Sequence, residues 1–204
     1  RGLMLAFDEA AHQYCIDGVT VPSVTQLVAP LGDDFDDMDA EMELTVEAAA
    51  DRGVTMHAYI AYRLGGGAME DFELPSQYLP YAGAVELFLS EHSITPMLVE
   101  ASLAGDGYAG TPDLVCEFDG SLSVLDYKFV SQICKPRVGA QLEGYKSLCE
   151  FNGIYPESLF AIQFLSVGTY RLYPVDGVQS SVAWTVCKSL YEIKKQKHPR
   201  GHIG

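Results

Sequence analysis

The second half of the chain is a run of short β-prone segments separated by tight-turn residues, and this pattern constrains the fold more than any other feature. Turns are predicted at Gly105-Asp106-Gly107, at Asp119-Gly120 and at Gly168. The predicted strands cover residues 97–104, 108–118, 122–130, 159–167 and 169–175. A helix-prone segment at 138–150 lies between the third strand and the fourth. A three-stranded meander, a helix and two further strands predict an α/β domain built on a mixed sheet.

The first half is predicted to hold a small hairpin and several helices. Asp17-Gly18 lies between apolar segments at 14–16 and 19–21, which is a strong hairpin signal. Ser23 is placed to cap a short helix. Longer helices are expected at 40–64, with an interruption at Arg52-Gly53, at 76–92 and at 178–197. We expect a single domain over 1–204, divided into an N-terminal hairpin and helices (1–95), a sheet with its helix (96–176) and a C-terminal helix (177–204).

Charge is distributed unevenly along the chain. The 204 residues carry a formal net charge of −15, which argues against a protein that coats nucleic acid or anionic membranes non-specifically. Residues 1–127 contain 3 basic and 23 acidic side chains, whereas residues 128–204 contain 10 basic and 5 acidic ones. The C-terminal part is therefore suited to face a polyanion.

An acidic segment between residues 33 and 51 carries nine carboxylates. A calcium-binding loop is the functional alternative, but the segment has no Asp-x-Asp-x-Asp-Gly spacing and no glycine at the position of the sharp turn. We interpret it as a solvated loop that leads into a helix.

Cysteine usage and hydropathy point to an intracellular protein. The five cysteines are widely spaced and form no Cys-x-x-Cys pair, so we expect reduced and mostly buried thiols and no zinc or iron–sulfur cluster. No segment approaches the ~18 consecutive apolar residues of a membrane span. The N-terminus also lacks the apolar run of a secretory signal. We expect a cytoplasmic protein that has no membrane partner.

Two acidic side chains are predicted to meet on the sheet. Asp113 and Asp126 lie equally far from the centre of the Asp119-Gly120 turn, so pairing of their strands brings them opposite one another. Residues alternate between the two faces of a strand, which places Lys128 beside Asp126 and turns Tyr127 to the other face. Two neighbouring carboxylates repel each other unless a hard cation such as Mg²⁺ lies between them.

The helix predicted at 138–150 adds two polar side chains to this site. Gln141 and Tyr145 are four residues apart and therefore lie on one face of the helix. A glutamine can donate to and accept from a water molecule, and a tyrosine hydroxyl can donate to a phosphate oxygen. Next to a metal and a phosphate, Lys128 would supply positive charge where negative charge builds up during hydrolysis.

The order of these residues resembles a known family. The motifs of the PD-(D/E)xK nuclease superfamily, in its RecB-like and phage-exonuclease branch, are similar to His57, Glu100, Gly110-Thr111-Pro112-Asp113, Asp126-Tyr127-Lys128 and Gln141-x-x-x-Tyr145. The resemblance covers about residues 52–146, and the segment 14–28 is also similar to the N-terminal part of such phage proteins.

The resemblance implies a restriction-endonuclease-like core, with a central mixed β-sheet flanked by helices, and a nuclease that depends on Mg²⁺ or Mn²⁺. By the family pattern, Asp113, Asp126 and the main-chain carbonyl of Tyr127 would bind the metal. His57 would be a further ligand, and Glu100 would bind a second ion or its water. The sequence carries neither the iron–sulfur cysteines nor the helicase portion of some relatives, which predicts a stand-alone nuclease.

The same pattern implies the roles of the remaining site residues. Lys128 would position the attacking water, while Gln141 and Tyr145 would order the site and the scissile phosphate. The activity expected is hydrolysis of DNA phosphodiester bonds by an exonuclease of phage-type recombination or end processing. Contacts to DNA phosphates are expected from three basic residues around the helix: Lys135, Arg137 and Lys146.

The net charge bears on the partners of such an enzyme. Because −15 opposes strong DNA binding by a monomer, we expect a homo-oligomer that turns its basic faces inward, and a recombination partner protein. The alternative function is a catalytically silent nuclease fold that serves as an adaptor for DNA ends or for a partner protein. In that case the acidic segment at 33–51 would contact a basic protein.

Overall fold

A computed structural model describes residues 3–8, 11, 13–32 and 42–197. The N-terminal strands β1 (Leu5–Asp8), β2 (Gln13–Ile16) and β3 (Val19–Val21) form a small antiparallel sheet. Asp17 and Gly18 turn between β2 and β3 with φ of 50° and 80°, the left-handed values that a two-residue hairpin turn needs. The predicted hairpin is thus confirmed. Ser23 caps helix α1 (Val24–Val28) in a reciprocal capping box with Gln26.

Helix α2 (Met42–Leu64) is continuous, so the interruption predicted at Arg52-Gly53 is wrong. Tertiary contacts hold the helix at this point: Nε of Arg52 donates to the carbonyl oxygen of Phe129 at 2.9 Å, and the guanidinium lies over the ring of Tyr81. Of the predicted acidic loop, residues 33–41 lie outside the described residues, and residues 42–51 belong to α2. Helix α3 (Leu79–Glu91) follows a short 3₁₀ turn, as predicted for 76–92.

The remaining elements build the central sheet. They are β4 (Ile94–Val99), β5 (Leu103–Ala104), β6 (Ala109–Gly110), β7 (Leu114–Phe118), β8 (Ser121–Lys128), α4 (Lys135–Phe151), β9 (Ser158–Phe164), β10 (Tyr170–Pro174) and α5 (Gly177–Lys197). Five strands form the sheet in the order β10-β9-β8-β7-β4, and β5 pairs with β6 as a separate ribbon. Among the described strands of this sheet, only β8 and β9 pair in parallel. Helix α4 forms the crossover connection between these two strands.

Two predicted strands are each divided in the structure. The segment 97–104 splits into the end of β4 and the short β5, and the segment 108–118 splits into β6 and β7. Glu100 has a φ of 45°, which bends the chain out of the sheet after Val99. Pro112 has no N–H to donate to a ladder, and the N–H of Ala109 donates instead to the carbonyl oxygen of Pro22.

Helices cover both faces of the sheet. α2 and α3 pack on the face that carries Leu114, Leu125 and Tyr127, whereas α1, α4 and α5 pack on the face that carries Val115 and Val124. The strict alternation along β7 and β8 follows from the two-residue period of a strand. The predicted α/β fold, a central mixed sheet flanked by helices with an N-terminal hairpin, is confirmed.

Two smaller expectations concern cysteines and membranes. All five cysteines are free thiols, and Cys116, Cys149 and Cys187 are buried, as predicted. In the part of the chain that the structure describes, every helix is either too short or too polar to span a membrane.

Gly144 in α4 is enclosed by α1 and α5. A Cβ at this position would lie 2.7 Å from Cγ1 of Val24 and 3.1 Å from the ring of Trp184. We expect Gly144→Ala to lower the free energy of unfolding by about 1–3 kcal/mol, the usual cost of overpacking a core. Gly83→Ala in α3 is the matched control, because its Cβ would meet nothing within 4 Å, and it should add up to about 1 kcal/mol. Urea denaturation compares the two, and equal stabilities would contradict this packing.

Candidate active site

The candidate site lies where β7 and β8 part. The two strands pair from Phe118↔Ser121 to Leu114↔Leu125, and beyond this point β8 continues to Lys128 along β9 alone. The ladder ends there, and its register extended by one step would set Asp113 opposite Asp126, in agreement with the predicted pairing. The main-chain N–H of Tyr127 therefore has no partner on β7 and donates to Oδ2 of Asp113 at 2.6 Å. An opening lined by Gly53, Val54, His57, Ala58 and Glu100 lies beside these strand ends, and we call the opening and the strand ends together the crevice.

Asp126 is the most deeply buried charged side chain of the site, with 1% of its surface exposed. Nζ of Lys128 lies 2.9 Å from its Oδ2 and forms an ion pair with it. Oδ1 accepts from Nε2 of Gln141 at 3.2 Å. The predicted side-by-side placement of Asp126 and Lys128 is confirmed.

Gln141 connects the strand to helix α4. Its Oε1 accepts from Nζ of Lys128 at 3.3 Å, and its Nε2 lies 3.0 Å from the hydroxyl of Tyr145. Both α4 side chains are buried, and their spacing of four residues brings them together on one face of the helix, as predicted. Tyr127 points to the opposite face of the sheet, where its ring packs on Phe164.

His57 and Glu100 complete the other wall of the crevice. Nδ1 of His57, on α2, lies 3.2 Å from Oε1 of Glu100 and 3.5 Å from Oδ1 of Asp113. Glu100 was predicted on a strand, but it stands just after β4 in a left-handed conformation that is uncommon for a non-glycine residue. Its N–H donates to the carbonyl oxygen of Asp113 at 3.0 Å. This bend places the Glu100 carboxylate beside His57.

Burial and mutual charge shift the pKa values of the site. Burial, with the negative charge of Asp126, raises the pKa of Asp113 to about 6, against the lowering effect of His57 and Lys128. Burial by itself would lower the pKa of His57, but the nearby carboxylates of Asp113, Glu100 and Asp126 outweigh it and raise this pKa to about 9. The crevice thus concentrates negative charge that attracts cations.

The residues of the crevice suit a hard divalent ion. Carboxylate oxygens from Asp113, Asp126 and Glu100 with one imidazole nitrogen are ligands that Mg²⁺ and Mn²⁺ accept. Oδ2 of Asp126 is buried and is paired with the ammonium of Lys128 at 2.9 Å. In the described part of the chain, however, no three His, Cys, Asp or Glu side chains stand close enough together to hold a metal ion as they are now arranged. Without a metal ion, His57 supplies positive charge beside the carboxylate of Asp113, and Lys128 supplies it beside that of Asp126.

The three predicted DNA contacts are spread along α4. Nζ of Lys135 lies 5.6 Å from the ring centroid of Tyr173, and Nζ of Lys146 lies 3.8 Å from Glu150. The guanidinium of Arg137 donates to the carbonyl oxygen of Gly32 at 2.6 Å. Arg137 stands four residues before Gln141 and so continues the row that Gln141 and Tyr145 form on the helix.

Several polar residues near the site were not singled out from the sequence. Thr111 lies two residues before Asp113. Its hydroxyl is hydrogen-bonded to the hydroxyl of Tyr14 at 2.7 Å and to that of Ser102 at 2.8 Å. Nε2 of Gln163 donates to the carbonyl oxygens of Val130 and Ser131 at 2.8 Å each, which holds the loop after Lys128. Only the position of Thr111 inside the Gly-Thr-Pro-Asp motif was available as a signal, because the other partners are distant in sequence.

Comparisons with known proteins add the following similarities. No family model matches the chain, and no curated protein matches it. Among solved structures, it is similar to an alkaline exonuclease (LHK-Exo) from Laribacter hongkongensis, with 13% identity, a TM-score of 0.36, and coverage of 86% of this chain and 91% of that chain. It is also similar to LHK-Exo in complex with dAMP, with 12% identity, a TM-score of 0.31, and coverage of 87% and 92%.

Lys128 compensates the buried charge of Asp126. Lys128→Met leaves a carboxylate that is 1% exposed without this cation, and we expect the free energy of unfolding at pH 8 to fall by about 3 kcal/mol. Asp126→Asn in the same background should recover most of that loss, because the buried charge is then gone. A double-mutant cycle by urea denaturation in EDTA measures the coupling, and strictly additive effects would contradict it.

Proposed function

We propose that this protein is a metal-dependent nuclease that hydrolyses DNA phosphodiester bonds as an exonuclease of phage-type recombination or end processing. The observation that supports the proposal is the convergence of Asp113, Asp126 and Lys128 on one crevice between parting strands. Paired carboxylates that can hold a divalent ion, beside an amine, are the parts that phosphodiester hydrolysis requires. The motif order that resembles the PD-(D/E)xK superfamily supports DNA as the substrate.

Mg²⁺ or Mn²⁺ is the cofactor that we propose. Asp113, Asp126 and the main-chain carbonyl of Tyr127 would hold it, with His57 as a further ligand and Glu100 toward a second ion or its water. When bound, such an ion polarises a phosphate oxygen and lowers the pKa of its water. His57 would act as a ligand in its neutral form, which requires that the metal displace the proton that the carboxylates now favour.

The side chains of the chain itself would orient the reactants. Lys128, held between Asp126 and Gln141, would position the attacking water and balance charge on the phosphate. Burial and the charges of Asp126 and Asp113 raise the pKa of Tyr145 far above its ordinary value, so its hydroxyl stays protonated and can donate to a phosphate oxygen. Gln141 fixes the mutual positions of Lys128, Asp126 and Tyr145.

Contacts to the DNA backbone would come from α4. Arg137 continues the row of Gln141 and Tyr145, and Lys135 and Lys146 stand on the same helix. These cations would bind phosphates and so position the duplex end without reading its sequence. A homo-oligomer and a recombination partner protein are part of the same proposal, because the net charge of −15 opposes DNA binding by one copy.

The catalytic proposal predicts metal-dependent digestion of DNA ends. Purified protein with Mg²⁺ or Mn²⁺ should degrade linear DNA and leave closed circular DNA intact. Asp126→Asn and Lys128→Ala should each lower the rate by at least about 10³-fold, since each removes a group that acts on the transition state. Gel assays with end-labelled substrates measure the rate.

Glu117→Gln is the matched control for these variants. Glu117 is exposed on β7, the strand next to the site, and its loss should leave the rate within about twofold of wild type. Circular dichroism shows that every variant is folded. DNA binding without turnover in either metal would reject the nuclease and support the adaptor alternative.

Metal binding should also be visible without any substrate. At an Mg²⁺ or Mn²⁺ concentration about 100 times the Kd, the native state should gain about 2.7 kcal/mol and the Tm should rise by several degrees. Asp126→Asn should lose most of this shift, whereas Glu117→Gln should keep it. Differential scanning calorimetry with a chelator titration measures the effect, and equal shifts in both variants would place the ion elsewhere.

A further inference from the structure

A cavity of about 370 Å³ lies between the first turns of α4 and α5 and the strands β9 and β10. Its walls are largely apolar and include Val138, Ala161, Val175 and Ala183. Ala161 is the β9 partner of Asp126 in the parallel ladder, so this wall stands one strand, about 5 Å, from the candidate site. Sites for small ligands have volumes from about 300 to about 1,000 Å³, apolar walls and a few polar groups. The cavity has the dimensions of such a site.

One end of the cavity is positively charged. Lys135 is the first residue of α4 and lines the cavity, with its Nζ 5.6 Å from the ring centroid of Tyr173. The first turn of α4 contains no acidic residue, and no side chain caps this helix. A cation at the start of a helix opposes the helix dipole, whereas an anion bound there is stabilised by it. This end of the cavity therefore suits the anionic group of a ligand.

A buried hydroxyl without a partner lies at the other end. Ser180, on α5, is 8% exposed and lines the cavity, and its hydroxyl has no hydrogen-bond partner among the described residues. The hydroxyl points at the bare backbone of Gly139, because a Cβ built there would come closer to Oγ than to Cβ of Ser180. Buried hydroxyls normally have a partner, which a ligand can supply. Gly139 follows Lys135 by four residues, so the two ends are about 6 Å apart along α4.

The carboxylate of Asp176 fixes the direction in which an anionic ligand would lie. Asp176 also lines the cavity, and its Oδ1 caps α5 by accepting from the N–H groups of Val178 and Gln179. This carboxylate would repel an anion at the end of the cavity that holds Ser180. The anionic group of a ligand therefore belongs at Lys135, and its uncharged polar groups belong at Ser180.

We propose that this cavity binds one nucleotide unit, with the phosphate at Lys135 and the start of α4 and the base between the apolar walls, hydrogen-bonded to Ser180. A nucleotide carries the required parts in this order: an anion, a flat ring and polar ring substituents. The choice of a nucleotide rests on the proposed function, because a nuclease site one strand away both releases mononucleotides and holds the ends of DNA strands. The nucleotide unit is thus either a released mononucleotide or the terminal nucleotide of a strand.

Isothermal titration calorimetry in EDTA tests the cavity without metal and without turnover. We expect dCMP to bind with a Kd on the order of 100 µM. Deoxycytidine and inorganic phosphate should each bind at least about 10-fold more weakly, because each lacks the group that meets one end of the cavity. If either binds as tightly as dCMP, only one end takes part, and the proposal is overturned. The absence of saturable dCMP binding up to about 10 mM also overturns it.

Two variants test whether binding takes place in the cavity. Lys135→Met should weaken dCMP binding at least about 10-fold and leave deoxycytidine binding within about twofold, because only the phosphate meets the ammonium group. Ala183→Leu should remove detectable dCMP binding, because the larger side chain fills the cavity.

Each variant has a matched control. Lys194→Met removes an exposed cation from α5 outside the cavity, and Ala50→Leu enlarges an exposed alanine of α2. Both controls should bind dCMP like the wild type, and circular dichroism verifies that every variant is folded. Unchanged dCMP binding in Lys135→Met or in a folded Ala183→Leu protein places the ligand elsewhere and overturns the proposal.

A short single-stranded oligonucleotide distinguishes the two sources of the nucleotide unit. If it binds more tightly than dCMP and this binding is lost in Ala183→Leu, the cavity holds the end of a strand. If it binds more weakly than dCMP, the cavity holds a released mononucleotide. The digestion assay separates this inference from the proposed function. Binding of dCMP by a protein that digests no DNA with Mg²⁺ or Mn²⁺ rejects the nuclease and keeps the nucleotide site, whereas digestion without dCMP binding rejects the nucleotide site alone.

Discussion

The burial of the Asp126 carboxylate is the constraint on which the rest of the structure depends. A charge removed from water is costly unless other groups compensate it. Lys128 on the same strand face supplies the charge, and Gln141 from α4 supplies the hydrogen bond. This requirement couples β8 to α4, the helix that also makes the parallel crossover of the sheet. The chemistry of the site and the topology of the fold therefore depend on the same contacts.

The two layers of helices contribute different parts of the crevice. α2, on one face of the sheet, brings His57 to the carboxylates of Asp113 and Glu100. α4, on the other face, brings Gln141 and Tyr145 to Asp126. The gap between β7 and β8 connects the two faces, because β7 begins only at Leu114.

Acidic and basic side chains are distributed unevenly over the protein as a whole, and not only at the candidate site. The acidic excess of the chain lies before Lys128, whereas most of the basic residues follow it and are concentrated on α4 and α5. The exposed start of α5 carries no charge at all. A net charge of −15 opposes both DNA binding and self-association, so contacts of either kind are favoured at basic or uncharged surfaces. α4 carries basic side chains, whereas residues 177–187 of α5 carry no charged side chain.

Short-range patterns in the sequence determined which residues share a face and which strands pair. The Asp119-Gly120 turn set the register of Asp113 and Asp126, and the two-residue period of β8 set Lys128 beside Asp126. Helical spacing joined Gln141 to Tyr145 in the same way. These features depend on local geometry that every strand, turn or helix repeats, so they could be predicted without knowing the fold.

Only the tertiary structure decided where the chain departs from those local rules. The bend at Glu100, the continuity of α2 through Arg52-Gly53 and the contacts of Lys135 and Arg137 all depend on partners far away in sequence. Arg52, for example, is held by the carbonyl of Phe129, whose position follows from the packing of β8 on α2. Local propensity predicts an element, but the free energy of long-range packing decides its end points and the direction of its charged side chains.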